Sequence, residues 1–335
     1  MTVPKKRLIF VLKAGVSIIV LTLIIANVDW NGVAKILKSA NYLLLCLAMV
    51  LNIVERAELT LKWNLLIWAR GIKVSFINLF FINFIGAFWG LFLPSSLGTD
   101  VVRGYYLVKS NSEKSVSISS VFVDRILGIF SLMLLGVIAV FLAGDLVSKI
   151  NIKFYVLFTF VAIVIIFYFF QKEKTVYLIN KLINKLKLKK ISEVITNLHL
   201  SILEYKKYPK TLILSFIISV AVQITRVLTY YFIALSFNIH IPIFYFLLFI
   251  PIIMLIIMIP ISIGGLGVRE GTFIAFFALV GIAMNDSVVV SFTSSFINTL
   301  ISALGGLIFL FYNSSHNKIE HKVEKSPVLE NKINK

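Results

Sequence analysis

Long runs of apolar residues occupy most of this chain and limit what it can fold into. Nine runs of 16 to 28 residues carry few or no charges, at 8–26, 41–66, 75–94, 116–143, 154–170, 211–237, 243–259, 268–283 and 288–312. A transmembrane helix needs about 20 predominantly apolar residues. Because the backbone polar groups of a spanning segment must be satisfied inside it, these runs predict an all-α polytopic membrane protein.

Composition disfavours several other classes of protein. Hydrophobic residues make up 59% of the chain and charged residues 14%, whereas soluble domains have about 50% and about 25%. A cytosolic enzyme, a nucleic-acid-binding module and a disordered scaffold are therefore disfavoured. The net charge of +18 lies between the apolar runs, so its natural counterpart is the anionic headgroups of a membrane rather than nucleic acid.

Neither a metal nor a cofactor is expected. Cys46 is the only cysteine, which excludes a disulfide framework and a cysteine-based zinc site. The four histidines show no metal-ligand spacing and are interpreted as interfacial or solvated. Gly264-Gly265-Leu266-Gly267 is only superficially similar to a dinucleotide fingerprint, because it lies in an apolar region without the strand–helix context. The sequence also lacks a Walker motif, which excludes ATP coupling within this chain.

Basic segments set the predicted topology. Residues 172–210, the lysine-rich linker, contain ten lysines and three glutamates, so the positive-inside rule places this linker in the cytoplasm. Lys5, Lys6 and Arg7 place the N-terminus on the same side, as does the basic tail at 316–335. We therefore expect a multi-pass protein of the cell (cytoplasmic) membrane with both termini in the cytoplasm. Leucine and isoleucine recur at helical spacing within the linker, which predicts amphipathic helices on the leaflet or a solvated helical linker.

These charge constraints are met if about six runs cross the bilayer and two regions form re-entrant hairpins. Full crossing by 75–94 would place the lysine-rich linker outside, so this run and the residues after it are predicted to enter and leave on one side. The same reasoning makes 243–283 a hairpin entered from the outside. The six full spans are then 8–26, 41–66, 116–143, 154–170, 211–237 and 288–312.

Two parts of the sequence share the pattern P-x-S-x-G-x4-R, which predicts an internal repeat. The pattern consists of Pro94, Ser96, Gly98 and Arg103 in the first part and of Pro260, Ser262, Gly264 and Arg269 in the second. An arginine in an apolar run precedes each proline, by 38 residues for Arg56 and by 34 for Arg226. Within an integral membrane domain at 1–315, we expect repeat A at about 41–145 and repeat B at about 211–312. The predicted topology inverts them, as in secondary transporters with a midplane site at broken helices.

The shared pattern also predicts a break in a helix and a ligand at that break. Pro94 and Pro260 each remove a backbone donor and are expected to act as hinges. The freed N–H groups and the Ser96 and Ser262 hydroxyls then need partners in protein, in a water-filled cavity or in a ligand. A helix that starts just after the turn directs its positive end there, which suits a phosphate. The alternative is a simple loop at the membrane surface.

Charged residues inside the apolar runs predict a polar site within the membrane. A charge near the bilayer centre costs about 3 kcal/mol or more, so these residues are expected to face a cavity or a partner. Five arginines can each bind phosphate through two parallel hydrogen bonds, namely Arg56, Arg103, Arg125, Arg226 and Arg269. We expect Asp100, Asp124 and Glu270 to position these arginines or to carry protons. For any single pair, a structural salt bridge between helices is the alternative.

The motifs resemble those of the lysylphosphatidylglycerol synthase transmembrane-region family. This is the flippase-like membrane domain of the multiple peptide resistance factor proteins and their stand-alone relatives. The resemblance rests on residues 93–103, 124–128 and 260–270 and extends from about residue 8 to about residue 312. It adds the hairpin glycines Gly98, Gly264, Gly265 and Gly267 to the candidate substrate-binding residues. Thr99 stands where the family commonly has a second glycine.

The resemblance implies a protein that moves a lipid between leaflets. In the fused relatives this lipid is aminoacylated phosphatidylglycerol, whereas other relatives are associated with polyprenyl-phosphate sugars or hopanoids. This chain ends about twenty residues after its last apolar run, so we expect the aminoacyltransferase domain of the fused relatives to be missing and the protein not to be an enzyme. The expected partners are the membrane and a phospholipid or lipid-linked substrate, together with a separate synthase or transferase and a second copy of the chain.

Two other functions remain open from the sequence. In one, the protein is a membrane-embedded enzyme that modifies a lipid headgroup, with Asp100, Asp124 or Glu270 as its acid–base group. In the other, it is a non-catalytic subunit that recruits a separate lipid transferase through the lysine-rich linker. Product formation by the purified protein would favour the first over transport. If the second is correct, deletion of 181–190 should abolish complex formation and leave lipid movement intact.

Overall fold

The computed structural model describes residues 3–93, 97–111, 114–143, 158, 161, 165, 172–185, 189–259, 261–262 and 264–324. Helices account for most of these residues, and no strand occurs among them, which confirms the predicted all-α class. Pro94, Ser96, Pro260 and most of the predicted span at 154–170 lie outside the described residues. The helices are α1 Val3–Asn27, α2 Trp30–Lys38, α3 Tyr42–Ala69, α4 Phe76–Phe92, α5 Leu97–Asn111, α6 Lys114–Ala143, α7 Glu173–Lys185, α8 Lys189–Tyr205, α9 Pro209–Ser236, α10 Ile243–Met258, α11 Val268–Ala278 and α12 Met284–Glu324.

Several of these helices are suited to a membrane. Within the described residues, Val116–Leu142, Pro209–Ser236 and Met284–Tyr312 are long and apolar enough to span one. Ala14–Asn27 and Trp30–Lys38 form a fourth candidate if this pair, bent by 85°, counts as one span. The predicted span at 41–66 is a continuous helix, but Glu55, Arg56, Glu58 and Lys62 interrupt its apolar surface. The count of six full spans therefore stays a prediction.

The bend between α1 and α2 has a local cause. Asp29 adopts an extended backbone conformation, and its side chain accepts a hydrogen bond from the Asn31 N–H at 3.1 Å. Aspartate is a favoured residue at this position because it satisfies a free amide at the start of a helix. α2 therefore begins as a new helix, whereas the apolar pattern alone predicted no helix there.

α4 and α5 form an antiparallel helical hairpin. A Cβ built on Gly86 would lie 2.9 Å from the Cγ atom of Arg103, and one on Gly90 would collide with the Thr99 hydroxyl. Position 86 thus lies next to position 103 and position 90 next to position 99, so the two helices run in opposite directions. The two glycines, one helical turn apart, thus let the backbones approach more closely than larger residues would allow.

The second half of the chain repeats the order of these helices. A long helix, a short apolar helix, a shorter helix and a long helix occur as α3 to α6 and again as α9 to α12. The most extensive contact between two helices is that of α3 with α9. α4 packs on α12, and in the same way α10 packs on α6, so the second helix of each half lies against the fourth helix of the other.

A cluster of aromatic rings holds α10 and α11 together. The rings of Phe273 and Phe277 lie 4.1 Å apart, and Phe277 contacts Phe246 and Phe249 of α10 at 5.0 and 5.3 Å. All four side chains are fully buried. Aromatic pairs at these separations contribute about 0.5–1.5 kcal/mol each beyond their buried area. The second helix pair is therefore a packed unit.

The lysine-rich linker contains two helices, α7 and α8, as its periodicity predicted. They contact each other through Asn180, whose side chain donates to Thr196 at 2.9 Å and accepts from Ser192 at 3.0 Å. α8 also packs on α6, and its last residue, Tyr205, donates a hydrogen bond to the Leu66 carbonyl oxygen at 3.0 Å. The linker is thereby attached to the helix bundle, and its position on a membrane leaflet stays a prediction.

Candidate arginine-lined site

A cavity of about 280 Å³ lies between the two halves of the molecule. Its walls come from α3 to α6 and from α9 to α12, together with the loop before α11. Four arginines line it, Arg56, Arg125, Arg226 and Arg269, and Glu55 is the one carboxylate among its described lining residues. We call it the arginine cavity.

Arg56 is held by neutral groups only. Its Nη2 atom donates to Asn298 Oδ1 at 2.7 Å and to Ser302 Oγ at 3.1 Å. Both acceptors lie on α12, one turn apart, and also line the cavity. Within the described part of the chain, Arg56 forms no ion pair. Its charge is therefore positioned by hydrogen bonds, with the neighbouring Glu55 carboxylate close enough to attract it but not in a direct ion pair.

Arg226, on α9, is neutralised by Glu55. Its Nε atom donates to Glu55 Oε1 at 3.1 Å, Nη2 makes a second, shorter contact with the same oxygen, and Nη1 donates to Gln223 Oε1 at 2.7 Å. Arg226 and Arg56 occupy matching places in the two repeats predicted from the sequence. The structure brings both to the α3–α9 contact, and only Arg226 has a carboxylate partner there.

Arg269 and Glu270 are adjacent in sequence but have different partners. Glu270 is buried, accepts from the Ser295 hydroxyl, and accepts from the Gly267 N–H at 2.7 Å. It thereby satisfies a free amide at the start of α11, where a carboxylate is favourable. Arg269 donates to Ser295 Oγ at 3.3 Å and to the Gly264 carbonyl oxygen at 3.5 Å. Like Arg56, it reaches the cavity without an ion pair to any described carboxylate.

Arg125, on the cavity wall, and the buried Arg103 belong to a network of charges that extends behind the cavity. Arg125 pairs with Asp100, which links α6 to α5. Arg103 donates to Asp124 Oδ2 at 3.2 Å and lies over the ring of Trp63, with its guanidinium carbon 4.2 Å from the ring centroid. Arg103 is not among the residues that line the cavity.

Lys62 completes this network. Its ammonium lies 2.9 Å from Asp124 Oδ1, and both side chains are at least 94% buried. Asp124 of α6 therefore joins α3, through Lys62, to α5, through Arg103. Breaking such a buried pair on one side costs about 3–5 kcal/mol, because a charge is left without compensation. The network anchors the first hairpin to the bundle.

The ends of the two hairpins meet at the arginine cavity. A Cβ built on Gly264 would lie 3.2 Å from the carbonyl oxygen of Leu91, near the end of α4. Gly264, Gly265 and Gly267 have φ values of +58°, +80° and +79°, a backbone conformation that residues with a Cβ rarely adopt. These glycines allow the tight turn that places Arg269 on the cavity and Gly264 against α4.

The structure places the other predicted residues as follows. Gly98 is buried, and a side chain there would collide with Leu93. Ser262 is buried in the turn before α11. A Cβ on Gly265 would lie 2.8 Å from Ile257, and one on Gly267 would lie 3.0 Å from the Ser17 carbonyl oxygen of α1. These four residues shape the backbone around the cavity but do not line it, whereas Gly264 does.

Several residues of the site were not predicted from the sequence. Asn298 and Ser302, which hold Arg56, and Ser295, which contacts both Arg269 and Glu270, lie on α12. Polar residues recur three or four positions apart within this otherwise apolar helix, a pattern that marks one face of a helix. That spacing was the available signal for α12, and the signal for Lys62 was its charge within the apolar run 41–66. Among the described residues, no group of three or more histidine, cysteine, aspartate or glutamate side chains is arranged to hold a metal ion.

Long apolar helices around a buried, arginine-lined cavity define an integral membrane protein. The model of the lysylphosphatidylglycerol synthase TM region family matches residues 10–306. The chain belongs to this family, which confirms the resemblance seen in its motifs. The match is to the transmembrane region, and no catalytic domain is evident from it.

Two relatives from Methanocaldococcus jannaschii are similar to the chain. The UPF0104 membrane protein MJ1078 is 30% identical over 239 residues, which covers 70% of this chain and 97% of that protein. The UPF0104 membrane protein MJ1595 is 30% identical over 130 residues, so this chain spans only 39% of that relative. No solved structure matches the chain.

Proposed function

We propose that this protein is a flippase that moves a lipid with an anionic headgroup between the two leaflets of the membrane. The observation that carries the proposal is that Arg56 and Arg269, from opposite halves of the chain, line one cavity without a described carboxylate partner. The substrate class is an anionic or aminoacylated phospholipid, such as lysyl-phosphatidylglycerol, or a polyprenyl-phosphate-linked lipid. The protein then acts in the cytoplasmic membrane, with both termini in the cytoplasm.

The charge balance of the cavity supports an anionic ligand. Four arginines line it; Glu55 neutralises Arg226, and Asp100 neutralises Arg125 from behind. Arg56 and Arg269 then leave a charge of about +2 within an apolar bundle. Removing a cation from water costs free energy unless an anion compensates it, and a bound phosphate would compensate these two partly buried guanidiniums. Phosphate also matches the planar, forked donors of a guanidinium, each of which can form two parallel hydrogen bonds.

The arrangement of the helices supports transport by alternating access. We infer that α3 to α6 and α9 to α12 are the two copies of an inverted repeat, since their order and their mutual packing correspond. Transporters of this plan move one repeat against the other around a central site. The two hairpins meet at the arginine cavity, so a shift of either hairpin would open the cavity to one side.

The two hairpins differ in how they are held, which suggests different roles in the cycle. Ion pairs of the partly buried Asp100 and the buried Asp124 tie α5 to α6 and α3. Arg269 at the start of α11 has only a hydroxyl and a carbonyl as hydrogen-bond partners among the described residues. The second hairpin can therefore move without separating a buried ion pair, and we assign it the larger movement.

The same contacts weigh against headgroup chemistry. Asp124 is held by two cations, Asp100 by Arg125, and Glu270 by a hydroxyl and a backbone amide. A general acid or base needs an open path to the proton that it transfers, and Asp100, Asp124 and Glu270 do not line the cavity. Transport therefore fits the site better than catalysis does.

The test is an assay of lipid sidedness in reconstituted vesicles. Purified protein is placed in vesicles that contain fluorescent phosphatidylglycerol, and a membrane-impermeant reductant reports the fraction of lipid that reaches the outer leaflet. The wild type should expose inner-leaflet lipid, while Arg56→Gln and Arg269→Gln should slow its appearance by at least about tenfold, the loss expected for a charge-assisted hydrogen bond. Lys38→Gln, which removes an exposed charge on α2, is the matched control. Unchanged rates in both arginine variants would contradict the proposal.

A further inference from the structure

A second depression lies beside α6, apart from the arginine cavity. It has a volume of about 510 Å³ and lies between α6, α8 and α9. Ile126, Leu127 and Phe130 line it from α6, and Leu212 and Phe216 line it from α9. No described residue lines both this depression, which we call the apolar groove, and the arginine cavity.

The apolar groove offers a ligand almost no hydrogen bonds. Lys206 is the one charged residue among those that line it. Tyr205 also contributes to its wall, but the hydroxyl of Tyr205 donates to the Leu66 carbonyl oxygen. A hydrocarbon chain matches such a surface, because it loses no hydrogen bonds when it leaves water or lipid.

Positive charge is concentrated at one end of the groove. Lys206, Lys207 and Lys210 lie in or next to the connection between α8 and α9, and all three are exposed. None of them forms an ion pair with a described residue, and the neighbouring acid, Glu204, pairs with Arg70 instead. An apolar ligand with an anionic end therefore complements the groove and its rim.

We propose that the apolar groove holds one acyl chain of an anionic phospholipid whose phosphate is bound at Lys206. The site differs in place from the cavity that we assign to the transported headgroup, and it does not rest on that assignment. A chain in the groove would contact α6, α8 and α9 together. The lipid would thus attach the lysine-rich linker to the two long helices on which it packs.

The experiment uses the full-length protein in zwitterionic nanodiscs. Trace phosphatidylglycerol with a photoreactive group on its acyl chain is added, and the sample is irradiated. Peptide mass spectrometry then identifies the labelled residues. Phosphatidylcholine with the same photoreactive chain is the comparison probe. We expect labelling of residues 123–134, 202–206 and 212–216, which line the groove, by the phosphatidylglycerol probe. A lysine near a lipid phosphate changes affinity about fivefold, so Lys206→Gln should lower this labelling about fivefold and Lys206→Arg should preserve it.

Three outcomes would overturn the proposal. Equal labelling by the two probes would show that the groove does not select an anion, and equal labelling of wild type and Lys206→Gln would exclude the assigned phosphate position. Labelling confined to residues outside these three ranges would show that the acyl chain binds elsewhere. Lys206 is exposed, so its variants should fold, and an unchanged unfolding temperature in lipid-free detergent confirms that. Lys38→Gln serves as a matched loss of charge on a distant helix and should leave the labelling unchanged.

Discussion

Arg226 and Glu55 form an ion pair across the contact between α9 and α3, with Arg226 Nε 3.1 Å from Glu55 Oε1. The pair lies on the wall of the arginine cavity. It divides the arginines at this contact into one that is neutralised, Arg226, and one that is not, Arg56. We therefore expect the two to respond differently to substitution.

Removal of Arg226 should do more harm than removal of the whole pair. Arg226→Gln leaves the carboxylate of Glu55 unpaired on the cavity wall, where it repels a phosphate. The double variant Glu55→Gln/Arg226→Gln removes both charges and should recover about tenfold of the transport rate lost in the single variant. The vesicle sidedness assay measures this, and a double variant as slow as Arg226→Gln would contradict the expected repulsion.

Asp124 should be essential for stability rather than for lipid contact. Asp124→Asn leaves the buried cations of Lys62 and Arg103 without their shared carboxylate, and should lower the free energy of unfolding by about 3–5 kcal/mol. Denaturant unfolding in detergent measures the change. Adding Lys62→Met to Asp124→Asn removes one of the stranded charges and should restore part of the loss. If the double variant is less stable than Asp124→Asn alone, the network is not organised as described.

The packing of α12 on α4 should be sensitive to a single methyl group. A Cβ on Gly305 would collide with the backbone carbonyl of Phe84, so Gly305→Ala should lower the free energy of unfolding by about 1–3 kcal/mol through overpacking. Gly104 of α5 is the matched control, because a Cβ there would meet only Val121, at 4.0 Å. Gly104→Ala should be neutral or stabilising by up to about 1 kcal/mol. Equal effects at the two glycines would show that α12 and α4 are farther apart than the structure places them.

Tyr205 should make the attachment of α8 sensitive to high pH. Burial raises the pKa of its phenol above the ordinary value of 10, since the charged form is poorly solvated. A raised acid pKa gives stability that is full below pH 10 and is lost as the pH rises further, because the unfolded state ionises first. Tyr205→Phe removes this titration and the hydrogen bond to Leu66, which contributes about 1 kcal/mol. Unfolding at pH 9 and pH 11 should therefore show a larger loss for the wild type than for Tyr205→Phe, and parallel losses would contradict the assignment.

The sequence indicated much of the fold because its signals are local. α4 begins after Ser75, whose hydroxyl caps the helix by accepting a hydrogen bond from the Asn78 N–H. α4 and α10 each end shortly before one of the two predicted hinge prolines. The prediction missed α2, because this helix has only 9 residues and carries two lysines, so it does not stand out as an apolar run. It could not find the ion pair between Lys62 and Asp124, since nothing in the sequence relates two residues 62 positions apart.

The cavity could be predicted only in part, for a related reason. A charge in an apolar run indicates that the side chain has polar surroundings, but it does not indicate which residues provide them. Arg103 and Arg56 look alike in the sequence, yet Arg103 pairs with Asp124 behind the cavity while Arg56 faces it. The difference arises from tertiary packing, which brings Asn298 and Ser302 to Arg56 across more than 240 residues.

The most direct test of the central claim is the contact between a lipid phosphorus and the cavity guanidiniums. Solid-state NMR of ¹⁵N-arginine protein in phosphatidylglycerol bilayers detects this contact as ³¹P–¹⁵N dipolar dephasing. We predict dephasing that is lost in the double variant Arg56→Lys/Arg269→Lys and preserved in Arg70→Lys, whose arginine pairs with Glu204 away from the cavity. Dephasing that is unchanged in the double variant would show that other arginines bind the lipid, and would contradict the account.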